Sequence, residues 1–187
     1  MPVQNLAEGK QPGGDDPVPT VAGMAGNASP QTDLSPRVLV VEWDDPDAET
    51  LRAEMSAEVG PRYAHLELPS SGPSPLAVDH ATVHETFVAY AGAEPVGHAA
   101  VRWNAGDLEL KRMFVRPAHR GTGTATALLH AAEASVRAAG RPRIILQTGH
   151  LQPEAVRFYE RSGYHRIPLF APYHVLPLSN CFARNLD

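Results

Sequence analysis

Cysteine is all but missing from these 187 residues, with Cys181 standing alone. One thiol cannot form an intramolecular disulfide, and no cysteine-rich zinc site can be assembled. Lysine is nearly as scarce, present only at Lys10 and Lys111, so arginine carries most of the positive charge. There is no basic excess: the formal net charge is −5 and the pI about 6.0. That argues against a general nucleic-acid binder, which would carry a basic face. Long apolar runs are missing too; none approaches the roughly 20 residues that cross a bilayer. The opening MPVQNLAEGK has no apolar signal core. Together these shortages describe a soluble, cytoplasmic protein with no membrane partner. What is present, 43% hydrophobic residues, suffices for one domain with a sizeable core.

Residues 1–36 are rich in Gly, Pro, Ser, Asp and Asn and show no apolar periodicity. They read as a flexible tail, since little apolar surface is available to offset the entropy of ordering. The folded domain is expected over 37–187. A β-branched run at 38–41 opens it. Asp45-Pro46 then supplies a capping carboxylate and a proline at the first helical position. Leu51, Met55 and Val59 mark one face of that helix, and Gly60-Pro61 is expected to end it. Three strand patterns follow at 86–91, 96–103 and 108–115, separated by short glycine turns and so antiparallel. A helix from about Gly123 to Gly140 leads to the apolar run Ile144-Ile145-Leu146. A strand there should run parallel to 108–115, because a helix connects the two. Pro153 opens a further helix ending at Ser162-Gly163, and a last strand lies around Cys181-Phe182.

The centre of the chain is LELKRMFVRPAHRGTGTA, residues 108–125. A strand runs into a glycine loop and then into a helix. Such a junction suits an anion, because glycine lets backbone approach and the first helical N–H groups point outward with the positive end of the dipole. The loop lacks the Lys-Ser/Thr of a P-loop and the full G-x-G-x-x-G of a dinucleotide fold. Taken with its surroundings, Arg120-x-x-Gly123-x-Ala125 resembles the coenzyme A-binding motif of the GCN5-related N-acetyltransferases, the GNAT superfamily. Met113-Phe114-Val115-Arg116-Pro117 resembles that family's preceding strand. Gln152 to Tyr164 (QPEAVRFYERSGY) resembles its later helix, with Gln152 where asparagine is usual. The resemblance covers about 38–187. It implies an α/β (α+β) GNAT fold: a mixed, mostly antiparallel central sheet, splayed between its two parallel strands, with helices on both faces.

The resemblance further implies an acetyl-CoA-dependent N-acetyltransferase acting on an amine, with acetyl-CoA as cosubstrate and no metal. The pyrophosphate would rest on the backbone of Arg120, Gly121, Thr122, Gly123, Thr124 and Ala125. The pantetheine arm would follow Met113, Phe114 and Val115, and Gln152 would contribute at the start of the later helix. A backbone N–H near Met113 would stabilise the oxyanion. Glu109 precedes Arg120 by the eleven residues that separate base and motif in histone-acetylating relatives, so it is the expected base. Strand alternation would place Glu109, Lys111 and Met113 on one face unless a bulge intervenes. The competing reading of Glu109 is a solvated strand carboxylate paired with an arginine. Tyr159 is the expected acid for the departing thiolate, or else a core tyrosine. Tyr63, His65, Tyr173 and His174 are candidate acceptor-lining residues, and walls with a few acids would suit a small amine or a lysine side chain. His80 and His84 have metal-pair spacing but no third ligand. A homodimer is compatible with all of this. The rival functions are a non-catalytic acyl-CoA-binding module on the same fold and an unrelated nucleotide binder.

Overall fold

The computed structural model describes residues 36–65, 74–176 and 178–186. The tail expected over 1–36 falls, Pro36 apart, outside them. The seven strands of the described residues are β1 (Arg37–Val41), β2 (Val83–Ala91), β3 (Glu94–Asn104), β4 (Asp107–Val115), β5 (Arg143–Gly149), β6 (His165–Ile167) and β7 (Ser179–Asn185). Among the described residues the three α-helices are α1 (Pro46–Tyr63), α2 (Thr124–Ala138) and α3 (Pro153–Arg161). The strands form one sheet in the order β1-β2-β3-β4-β5-β7-β6. Every neighbouring pair is antiparallel except β4 and β5, which run parallel as the intervening helix requires. None of the described helices is long and apolar enough to cross a membrane.

Turn chemistry sets the meander. Ala91 hands over to Glu94 through Gly92, whose φ is +63°, and Asn104 to Asp107 through Ala105 and Gly106 at +47° and +92°. Two-residue turns with positive φ match the twist of the paired strands. On one sheet face Phe87, Ala89, Leu108 and Leu110 pack against Leu128, Leu129 and Val136 of α2, with Ala155 and Val156 of α3 joining them. On the other, Val88 and Phe114 meet Ala48 and Leu51 of α1. Gly97 of β3 lets α2 sit close: a Cβ there would lie 2.9 Å from Leu128 Cδ1 and 3.0 Å from the Phe114 carbonyl.

One expected boundary is wrong. The helix opened by Asp45, whose carboxylate accepts the N–H groups of Asp47 and Ala48, does not stop at Gly60-Pro61. It continues through Pro61 to Tyr63. An internal proline costs roughly 3 kcal/mol. Tertiary contacts beyond it oppose that cost: Arg62 pairs with Glu154 of α3, and the Tyr63 hydroxyl accepts the Leu151 N–H at 3.0 Å.

Candidate active site

β4 and β5 are paired for three rows only, Leu108 to Leu110 against Ile144 to Leu146. Beyond them each strand keeps its other neighbour. β4 stays on β3 as far as Val115 opposite Gly97, and β5 on β7 as far as Gly149 opposite Ser179. The sheet therefore splits into a V, and two strand edges face an opening. A cavity of about 390 Å³ occupies it. Lys111, Arg112 and Met113 line one side, and Gln147, Thr148 and Gly149 the other. Met55, Val59 and Tyr63 of α1, Tyr159 of α3 and the segment around Leu176 close it.

The split begins at a bulge. Ala100 pairs with Lys111 and His98 with Phe114, so Ala99 alone faces Arg112 and Met113. Arg112 has φ +54°, a left-handed conformation unusual for a side chain of its size. Its carbonyl is fixed by the fully buried His98, whose Nδ1 lies 2.8 Å away. His98 Nε2 faces Arg52 Nη1 at 3.3 Å, and the Arg52 guanidinium stacks 3.9 Å over Trp43. Burial pushes the His98 pKa down to about 4. The ring is thus neutral near pH 7, donating from Nδ1 to the Arg112 carbonyl and accepting at Nε2 from Arg52. Because the peptide is planar and trans, the Met113 N–H points away from His98.

The bulge overturns the shared face expected of Glu109, Lys111 and Met113. Met113 packs with the cluster that holds Leu108 and Leu110, the opposite side from Glu109. Its sulfur instead meets the Tyr159 hydroxyl at 3.5 Å. Tyr159 is almost fully enclosed, and burial raises its pKa above the ordinary phenol value. It stays protonated across the neutral range and can act only as a donor of its proton.

Glu109 has no exposure and does not line the cavity. Its Oε2 accepts from Arg102 Nε at 2.9 Å and Asn104 Nδ2 at 3.1 Å. Its Oε1 accepts from the Tyr173 hydroxyl at 2.5 Å and lies 3.7 Å from Lys111 Nζ. The pairing with an arginine matches the competing reading of this residue, but the carboxylate is buried rather than solvated. Lys111 stands between it and the cavity, its Nζ donating to Tyr173 at 2.6 Å. Burial lowers the Lys111 pKa to about 8 against the raising effect of Glu109.

At the other end of β4, Gly121 and Gly123 have φ of +78° and +89°, and nothing would meet a Cβ at either. Gly123 precedes α2 with no side-chain cap, so the first-turn N–H groups have no side-chain acceptor. The cradle expected over 120–125 is open. The Arg120 side chain is engaged elsewhere, donating to the Val115 carbonyl at 2.9 Å and to Glu58 at 2.7 Å. Gln152 Oε1 accepts from Gly149 N–H and Thr148 Oγ1, both at 3.3 Å, closing the turn between β5 and α3.

Of the expected acceptor-lining residues, Tyr63 reaches the cavity. His65 and His174 are exposed and away from its wall, and Tyr173 is buried in the Glu109 network. No aspartate or glutamate lines the cavity among the described residues. Two residues that matter here, Arg112 and His98, were not singled out in the sequence, and Lys111 was placed on the Glu109 face without a role. A signal for the bulge was present. Apolar residues at 108 and 110 give way to apolar residues at 113 and 115, a change of phase within one strand. No group of three or more His, Cys, Asp or Glu could hold a metal among the described residues.

Residues 82–166 match the acetyltransferase (GNAT) domain family. Among curated proteins, the IAA acetyltransferase of Azospirillum brasilense is 37% identical over 83 residues, 44% of this chain and 54% of the relative. The chain spans about half the length of the curated relatives it matches. Among solved structures, a Klebsiella pneumoniae protein assigned as an acyl-CoA N-acyltransferase aligns with TM-score 0.68 and 27% identity, over 83% of this chain and 100% of its own. A Staphylococcus aureus acetyltransferase of the GNAT family shares the fold at TM-score 0.59 and 16% identity, over 81% of this chain and 100% of its own. The sheet split after three parallel rows, the bulged β4 and the uncapped glycine entry to α2 all lie within residues 82–166, the stretch that is similar to the GNAT acetyltransferase domain family.

Proposed function

We propose that this protein is an acetyl-CoA-dependent N-acetyltransferase that moves the acetyl group to an amine by direct attack. The observation that carries this is the V between β4 and β5, with the open cradle of residues 120–125 beyond one arm and the Tyr159 hydroxyl inside. A phosphate chain suits the cradle because backbone N–H groups and the helix dipole both favour an anion there. An extended amide-bearing arm suits the unpaired edge of β4, which can form strand-like hydrogen bonds with it. The acetyl carbonyl would then sit near the bulge, where the Met113 N–H is available as an oxyanion donor.

The chemistry follows. The amine lone pair attacks the thioester carbonyl carbon, the C–N bond forms and the carbonyl oxygen takes the charge. As the C–S bond breaks, Tyr159 gives its proton to the sulfur and recovers one from solvent. The new ammonium loses its extra proton to water in the cavity. Glu109 is saturated and enclosed, so its part is to hold Arg102 and Lys111 rather than to take the proton itself. A thermal-shift screen against acetyl-CoA, CoA, ATP and NAD should show stabilisation by the first two alone. Tyr159→Phe should slow the chemical step about 100-fold while acetyl-CoA affinity holds. Unchanged turnover in that variant removes the acid assignment. Binding of acetyl-CoA without thiol release from any amine would identify a non-catalytic module instead.

A further inference from the structure

The cavity wall has an unbalanced charge. Arg112 and Lys111 both reach it, and no carboxylate does among the described residues. Behind the wall one carboxylate, Glu109, serves two cations, Arg102 and Lys111. Glu109 is already shared between Arg102 at 2.9 Å and Lys111 at 3.7 Å. Arg112 forms no ion pair with any described residue. Among the described residues its one side-chain hydrogen bond runs from Nη2 to the Leu76 carbonyl at 3.3 Å. A partly buried guanidinium without an anion is costly, since burying a charge is tolerated only when it is paired. Burial and the nearby Arg102 both act to lower its pKa, the opposite of what a paired arginine shows. Elsewhere the lining is apolar at Met55, Val59, Leu76, Val175 and Leu178 and polar but uncharged along Gln147, Thr148 and Ser179.

Resting on the acetyl-transfer reading above, we propose that the acceptor is a small amine that also carries a carboxylate, an apolar amino acid, whose carboxylate is held by Arg112 and Lys111. The planar fork of Arg112 suits two carboxylate oxygens, and the Lys111 ammonium adds a point charge. The apolar wall takes the side chain. The same cations work against a second positive charge in the cavity. They therefore favour the neutral amine, which is the nucleophilic form, in a site with no free carboxylate to take the proton. A cationic acceptor such as an extended lysine side chain finds no counter-charge on this wall.

The test is a set of matched pairs scored by thiol release from acetyl-CoA: leucine with isoamylamine, phenylalanine with phenethylamine, methionine with 3-(methylthio)propylamine. At least one amino acid should be acetylated with a kcat/KM about 10- to 100-fold above its decarboxylated partner, the range expected for a charge-assisted pair. Arg112→Gln should shrink that ratio towards one, while acetyl-CoA still raises the melting temperature of the variant. Equal or faster acetylation of the decarboxylated amines, or acetylation of a lysine peptide alone, overturns the acceptor class and leaves acetyl transfer standing. A rise confined to the KM for acetyl-CoA in Arg112→Gln overturns it too, by giving Arg112 to the cosubstrate. No thiol release with any acceptor, and no stabilisation by acetyl-CoA, brings down the acetyl-transfer reading and the acceptor proposal with it.

Discussion

At the scale of single residues, two buried ionisable groups on neighbouring strands set the chemistry of the site. His98 is held neutral by burial, with its pKa pushed down to about 4 from an ordinary 6.5. Between those values the unfolded chain binds a proton that the folded chain refuses. Stability from this group is thus full above about pH 6.5 and is lost as the pH falls towards 4. The loss should reach about 3 kcal/mol. Denaturant melts at pH 7 and pH 4.5 check it, and His98→Asn, which keeps a donor near the Nδ1 position, should show a flatter dependence than the parent. Glu109 gives a different expectation. Glu109→Gln leaves Arg102 and Lys111 buried without their carboxylate, so the fold should lose about 3–5 kcal/mol. Equilibrium unfolding measures it. A variant that unfolds like the parent yet has lost turnover would instead restore Glu109 as the base. Glu109 illustrates how far sequence reaches. Its spacing from Arg120 was visible in the chain, but its burial depends on Arg102, Asn104 and Tyr173, and Tyr173 lies 64 positions away. No local pattern announces that.

At the scale of elements, strands and helices were largely readable where periodicity and punctuation agree. The meander, the parallel crossover and the α2 entry at Gly123 all follow from apolar spacing and glycine placement. What was missed lies where tertiary contact overrides a local rule. Pro61 was expected to stop α1, yet Arg62 and Tyr63 find partners in and just before α3 and carry the helix onward. Met113 was expected beside Glu109, and one extra residue in β4 turned it to the other face. The joint between α1 and the β5 end is testable. A Cβ on Gly149 would run into the Tyr63 hydroxyl, which also accepts the Leu151 N–H. Gly149→Ala should therefore destabilise by about 1–3 kcal/mol. Adding Tyr63→Phe should restore part of that, and a double-mutant cycle by chemical denaturation gives the coupling.

At the scale of the molecule, the sheet consists of two slabs, β1 to β4 and β5 to β7, joined through three parallel rows. The backbone edges that face the opening have no sheet partner there. Bound acetyl-CoA should therefore protect amides locally: hydrogen exchange should slow at 112–115 and 121–125, while β1 and β2 exchange as before. Uniform protection across the sheet would mean that the ligand acts by tightening the whole fold. Charge also reads differently at this scale. The chain carries −5 overall, but Lys111 and Arg112 give the cavity lining the opposite sign. Net charge describes the surface, and a site of a few residues is free to depart from it.

The three-row seam has a mechanical meaning. Parallel strands that separate from one end behave like a zipper whose slider rests at Leu110 and Leu146. The bulge at Arg112 acts as its stop, because an extra residue in one strand breaks the register that further pairing would need. His98, by gripping the carbonyl at that stop, prevents the sheet from healing across its own opening. The cleft is kept apart by a fault built into one of its strands, and an inserted chain meets a gap that the protein has no means to close by itself.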